Sequence, residues 1–111
     1  MTDPNPPCVV TVFMTTPSLE TAETLGRTLV SERLAACANV LPGVVSIFHW
    51  NGELQRETEA MVILKTSEGC VSALEERAMA LHPYDVPEFL VVPVVGGHAP
   101  YLAWIAGEVG L

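Results

Sequence analysis

Apolar and polar residues change period several times along this chain, and each change marks an element. Residues 8–15, CVVTVFMT, are rich in β-branched side chains and predict a strand. In TPSLETAETLGRTLVSERLA the period lengthens: Ala22, Leu25 and Leu29 recur on one helical stripe. Thr16-Pro17 or Ser18 can start that helix, with Glu20 and Glu23 in its first turns. ACANVLPGVVSIFHW returns to strand character, interrupted by Pro42-Gly43. Proline donates nothing to a ladder, so the interruption is a bend, a bulge or an edge.

Asn51-Gly52 then separates two strand-like runs, a strong short-range hairpin signal. The returning strand, ELQRETEAMVILKT, is charged in its first half and apolar in its second. The hairpin tip should therefore project while its base joins the core. A two-residue loop would set Trp50 opposite Glu53, Phe48 opposite Gln55 and Ser46 opposite Glu57. The aromatic pair then shares a face with Glu53, Glu57 and Glu59: an intersubunit groove or a solvated arm, not a core. SEGCVSALEERAMAL carries Val71, Leu74, Ala78 and Leu81 on a second helical stripe. That helix should end at His82, because the residue before a proline disfavours the α region. EFLVVPVV predicts a last strand, placed at an edge by Pro93. Pro100 suits the first position of a terminal helix.

The order β-α-β-β-α-β plus a terminal helix predicts an α+β, ferredoxin-like split βαβ sandwich: an antiparallel sheet, helices on one face, an extended β-hairpin arm and a C-terminal helix. The chain, 1–111, reads as one domain with residues 1–7 flexible.

Composition adds a reason to associate. Half of the 111 residues are hydrophobic and 16% are charged, so polar side chains are too few to cover the uncovered sheet face. The net charge of −8, with no basic stripe, argues against nucleic acid. No run approaches the roughly 18 apolar residues of a membrane helix. MTDPNPPC has neither a basic nor an apolar signal-peptide region. Three widely spaced cysteines without a CxxC pair suit a reduced, cytoplasmic protein.

The chemistry concentrates in LHPYDVPE, residues 81–88. His82 can act as a metal ligand or proton carrier, or simply cap its helix by bonding the last carbonyls. Pro83 and Pro87 stiffen the turn and hold Tyr84 and Glu88 as polar handles of a pocket wall, or merely order the edge strand. Lys65, the only lysine, ends an apolar strand, with Asn39 a candidate partner at the same end of the sheet. It can meet a carboxylate or an anionic ligand, or reach for solvent. No Ser-His-Asp set, HExxH or CxxC is present, so no enzyme activity is read.

ACANVLPGVVSIFHWNGELQRETEAMVILKT, LHPYDVPEFLVVPVVGG and PYLAWI together resemble the CutA family of divalent-cation tolerance proteins, from about Val9 to Ile105. The resemblance implies a ferredoxin-like fold, a homotrimer and a role in tolerance of copper and other divalent metals, with no cofactor required. It also implies copper ligands near the end of the first strand and before the Pro-Tyr. The residues there are Met14, a soft thioether, and Leu81-His82, of which His82 can ligate. A ligand cleft between subunits would draw on Asn39, Trp50, Lys65, Tyr84 and Glu88. Two other readings remain: a signalling trimer resembling the nitrogen-regulatory PII proteins, and a trimeric scaffold without a ligand. Five positive charges in the chain weigh against phosphate binding in such a cleft.

Overall fold

The computed structural model describes residues 8–110; Leu111 and residues 1–7, the segment expected to be flexible, lie outside the described residues. The elements follow as β1 (Val9–Thr16), α1 (Leu19–Ser31), β2 (Cys37–Trp50), β3 (Glu53–Ser67), α2 (Val71–Leu81), β4 (Leu90–Pro93) and α3 (Ala99–Glu108). A single 3₁₀ turn, Glu68–Cys70, leads into α2. The four strands form one antiparallel sheet in the order β2-β3-β1-β4. This is the α+β arrangement read from the pattern. Pro93 lies at the end of β4, an edge strand. β4 keeps only four of the eight residues the pattern suggested.

Ser18 caps α1 by accepting a hydrogen bond from the Thr21 amide at 3.1 Å. The helix stops at Ser31, short of the Leu34-Ala35 pair. Arg33 takes a left-handed φ of 63°, and the Leu34 amide turns back to the Leu29 carbonyl at 3.0 Å. Ala22, Leu25 and Leu29 of α1, with Leu74 and Ala78 of α2, cover Val10, Val12 and Met14 of β1 and Ala60, Val62 and Leu64 of β3. Strand alternation sends the neighbours of these residues to the opposite face. There α3 covers one end, packing Ile105 and Val109 against Val9 and Ala36. The rest of that face stays open. Phe13, Met61 and Ile63 are half-buried, and Leu41, Leu90 and Val92 are exposed.

One irregularity decides what this open face carries. Leu41 pairs with Met61 and Val44 with Glu59, so β2 holds one more residue than β3 across Pro42-Gly43. Gly43 has a φ of +72°, which a side chain would strain. The bulge shifts the alternation by one. Val44, Ser46, Phe48 and Trp50 thereby share the open face with Cys37, Asn39 and Leu41. Without it the two aromatics would point to the helix side. Beyond the bulge the hairpin closes in the expected register, Trp50 opposite Glu53, Phe48 opposite Gln55 and Ser46 opposite Glu57. Asn51 (φ 52°) and Gly52 (φ 79°) both take the positive φ of a type I′ turn. The arm draws the molecule out to 56 × 25 × 22 Å.

Candidate functional site

Pro83 ends α2 as expected: His82 is its C-cap, with extended backbone at φ −79°, ψ 137°. The imidazole does not bond the last carbonyls of the helix. It is 8% exposed, and its Nε2 donates to the Thr15 carbonyl of β1 at 2.8 Å. A carbonyl can only accept, so the proton sits on Nε2. Nδ1 is then free to accept the Tyr84 amide at 3.1 Å. His82 therefore ties the turn to the central part of the sheet. It also holds Tyr84 beside it, ring centroids 4.8 Å apart.

Tyr84 reaches across to the base of the arm. Its hydroxyl donates to Oε2 of Glu59 at 2.8 Å. Glu59 is 8% exposed, the last carboxylate of β3 before the apolar half begins. Burial, the hydrogen bond to Glu59 and the charges of Glu59 and Glu57 push the Tyr84 phenol up to about 12. Burial first, and the Glu59 charge second, also raise the Glu88 carboxyl above its ordinary range. These groups line a groove of about 980 Å³ between the turn and the arm, walled by Phe48 and Trp50 on one side and Pro83 and Tyr84 on the other. Glu57, Glu59, Asp85 and Glu88 face it, and among the described residues no basic side chain does. Such a groove repels phosphate and favours a cation.

The expected cleft residues fall into two sets. Trp50, Tyr84 and Glu88 line the groove. Asn39 and Lys65 sit on the same face but at the other end of the sheet, where the Lys65 ammonium donates to Oδ1 of Asn39. Lys65 lies six residues from Glu59 on β3, roughly 20 Å at strand rise. The candidate copper ligands are also apart in kind. Met14 is wholly buried in the core between sheet and helices, and both ring nitrogens of His82 are engaged. Among the described residues no three His, Cys, Asp or Glu side chains stand where they could hold a metal ion. The donor set of this chain, among the described residues, does not fit a resident metal.

Sequence reasoning named Glu59 only as a neighbour of the aromatics. The structure makes it the hydrogen-bond partner of Tyr84. The available signal was its place where the charged half of β3 gives way to AMVILKT, on the same alternation as Glu57 and Lys65.

The family model described as "CutA1 divalent ion tolerance protein" matches residues 10–108. A divalent-cation tolerance protein CutA from Thermus thermophilus is 43% identical over 99 residues, covering 89% of this chain and 96% of that relative. A chloroplastic CutA 1 from Oryza sativa subsp. japonica is 41% identical over 96 residues; the match covers 86% of this chain and 54% of the plant protein. The solved Cut A1 structure from Thermus thermophilus superimposes with a TM-score of 0.90 at 42% identity, covering 92% of this chain and 99% of that one. The Oryza sativa CutA1 crystal structure gives a TM-score of 0.92 at 37% identity, over 95% and 96% of the two chains.

Proposed function

The chain belongs to the CutA1 divalent ion tolerance protein family, and we propose that it works as a homotrimer that takes a divalent cation or a small ligand in the clefts between its subunits. It acts by binding rather than by catalysis. Its role is to influence tolerance of copper and other divalent metals; divalent-cation tolerance is the property named in its relatives.

The observation that carries this reading is the pairing of two incomplete features on one face. The open half of the sheet presents apolar side chains that water should not wet, among them Leu90 at 57% and Val92 at 45% exposure. The groove beside it gathers four carboxylates and three exposed aromatics, Phe48, Trp50 and Tyr84, with no counter-charge among the described residues. A second subunit on the sheet would cover the first and wall in the second. A metal ion enters this account as cargo, held by groups of more than one subunit, since one chain does not assemble a site. His82 and Met14 would join such a site only by giving up the contacts they make here.

The three free thiols, Cys8, Cys37 and Cys70, support a reducing compartment such as the cytoplasm. No helix among the described residues is long and apolar enough to cross a membrane.

Sedimentation equilibrium at micromolar concentration should return about three times the 11.9 kDa chain mass. Native mass spectrometry of that species, screened against divalent metals and small metabolites, should find a ligand bound once per cleft. A monomer at micromolar concentration would remove the basis of the reading.

A further inference from the structure

The carboxylates of the groove do not converge on a point. Glu57 and Glu59 leave the same face of β3 two residues apart, roughly 7 Å at strand rise. Asp85 and Glu88 belong to the turn across from them. Among the described residues no three such groups come close enough to hold one metal ion. A compact divalent ion needs several oxygens drawn in around it. Charges spread along two walls suit a cation whose own charge is spread.

One of these carboxylates is only half satisfied. Glu59 is 8% exposed, and its Oε2 takes the Tyr84 hydroxyl at 2.8 Å. Among the described residues Oε1 takes no hydrogen bond, and no fully buried side-chain oxygen or nitrogen lacks a partner. Oε1 is therefore not sealed in; it opens into the groove that Glu59 lines. The ion pairs among the described residues, Arg33 with Glu108 and Arg77 with Glu32, lie away from it. A nearly buried carboxylate is costly without a counter-charge.

The other half of the groove is aromatic. Along the arm the register sets Ser46 opposite Glu57, then Phe48 opposite Gln55 and Trp50 opposite Glu53, so the rings lie outward of the carboxylates. Tyr84 stands on the facing wall. An aromatic face attracts a cation within about 6 Å of its centroid. It also takes the methylenes beside an ammonium, which share its charge. A hydrated metal ion gains little from such a surface, and a groove of about 980 Å³ is far larger than an ion.

We infer that the groove binds an organic polycation, an alkyl chain bearing two or more ammonium groups. One ammonium sits on Glu59 and Glu57, the chain lies along Phe48 and Trp50, and a second ammonium meets Asp85 or Glu88. This rests on the reading that the clefts take a cation or a small ligand, and it names the class: an aliphatic diamine or polyamine. Two charges are favoured over one because the carboxylates stand on both walls.

The test is isothermal titration calorimetry of the purified protein in its native oligomeric state. The probes, used separately, are spermidine, putrescine, butylamine, butanediol, magnesium and copper(II). Affinity should fall from spermidine through putrescine to butylamine, with butanediol silent. Glu59→Gln keeps an oxygen for the Tyr84 hydroxyl and removes the charge; it should weaken spermidine about 10-fold or more. Phe48→Leu keeps an apolar wall without a π face and should weaken it roughly 3-fold. Glu76→Gln, exposed on α2, should change nothing, which separates a site from adsorption to an acidic protein. Neither metal's binding should change in Glu59→Gln. Circular dichroism and sedimentation of each variant check that fold and assembly are kept. Spermidine no tighter than butylamine, or an equal loss in Glu59→Gln and Glu76→Gln, overturns the inference. Phe48→Leu binding as tightly as wild type overturns the placement of the chain along β2. Silent spermidine, with a metal whose binding is lost in Glu59→Gln, overturns it too and leaves the cation-cleft reading standing. An oligomer that binds none of these cations overturns both.

Discussion

Replacing His82 with alanine tests whether the turn after α2 is a tether or a free ligand. The imidazole makes two neutral hydrogen bonds, 2.8 Å to the Thr15 carbonyl and 3.1 Å from the Tyr84 amide. Each contributes about 1 kcal/mol net. Its ring also packs on Tyr84 with centroids 4.8 Å apart and a 48° tilt, an arrangement worth roughly 0.5–1.5 kcal/mol. The site is 8% exposed, so the cavity left by the ring adds to the cost. Against this, Thr15 lines the groove, and water entering there can satisfy its freed carbonyl. The balance predicts a loss of roughly 2–3 kcal/mol. The measurement is urea unfolding at one fixed protein concentration, since association and stability are linked. Leu81→Ala, at a neighbouring exposed position, serves as the control and should lose much less. The variant should also free Tyr84 from Glu59, so its amide should exchange faster and its phenol should titrate nearer to the ordinary tyrosine range. A loss below ~0.5 kcal/mol, with the Tyr84 amide as protected as before, would refute the tether.

Three further outcomes are expected. In a Tyr101→Phe background Tyr84 is the only tyrosine, and its absorbance at alkaline pH should rise only near pH 12; Glu59→Gln should bring that midpoint down by removing the adjacent charge. Glu88 has its carboxyl raised in the folded chain, so the folded state holds the extra proton and stability should fall as pH rises through that group's range; Glu88→Gln should remove that fall, and an unchanged profile would contradict the assigned cause. Trp50 is 56% exposed in the single chain, and Trp50→Ala should weaken association by at least about 2 kcal/mol while leaving the circular dichroism of the subunit unchanged, unless the arm lies outside the interface.

Much of the architecture was legible because it rests on local rules. Thr16-Pro17 or Ser18 marked a helix start, and Ser18 is the cap; Ala22, Leu25 and Leu29 gave a buried stripe, Asn51-Gly52 a hairpin turn and Pro83 a helix stop, each settled within a few residues of backbone. The hairpin register followed from the loop length alone, which is why Trp50 and Glu53 are paired as expected. The boundaries read less well. α1 ended early because Arg33 adopted a left-handed backbone, a conformation that no residue type there announces.

The site was legible as a set of residue types and not as a set of partners. LHPYDVPE announced its own stiffness, yet nothing near it says that His82 bonds a carbonyl 67 positions earlier or that Tyr84 bonds a carboxylate 25 positions earlier. Those pairings need β1, β3 and the end of α2 in register at once, and register belongs to the sheet as a whole. Pro42-Gly43 shows the division most clearly. The sequence determined that the strand must break its ladder there, because proline has no amide hydrogen to donate. Only the folded sheet decided that the break adds one residue to β2 and so turns Phe48 and Trp50 onto the open face with Glu59, since a bulge has a direction only relative to the strand it pairs with.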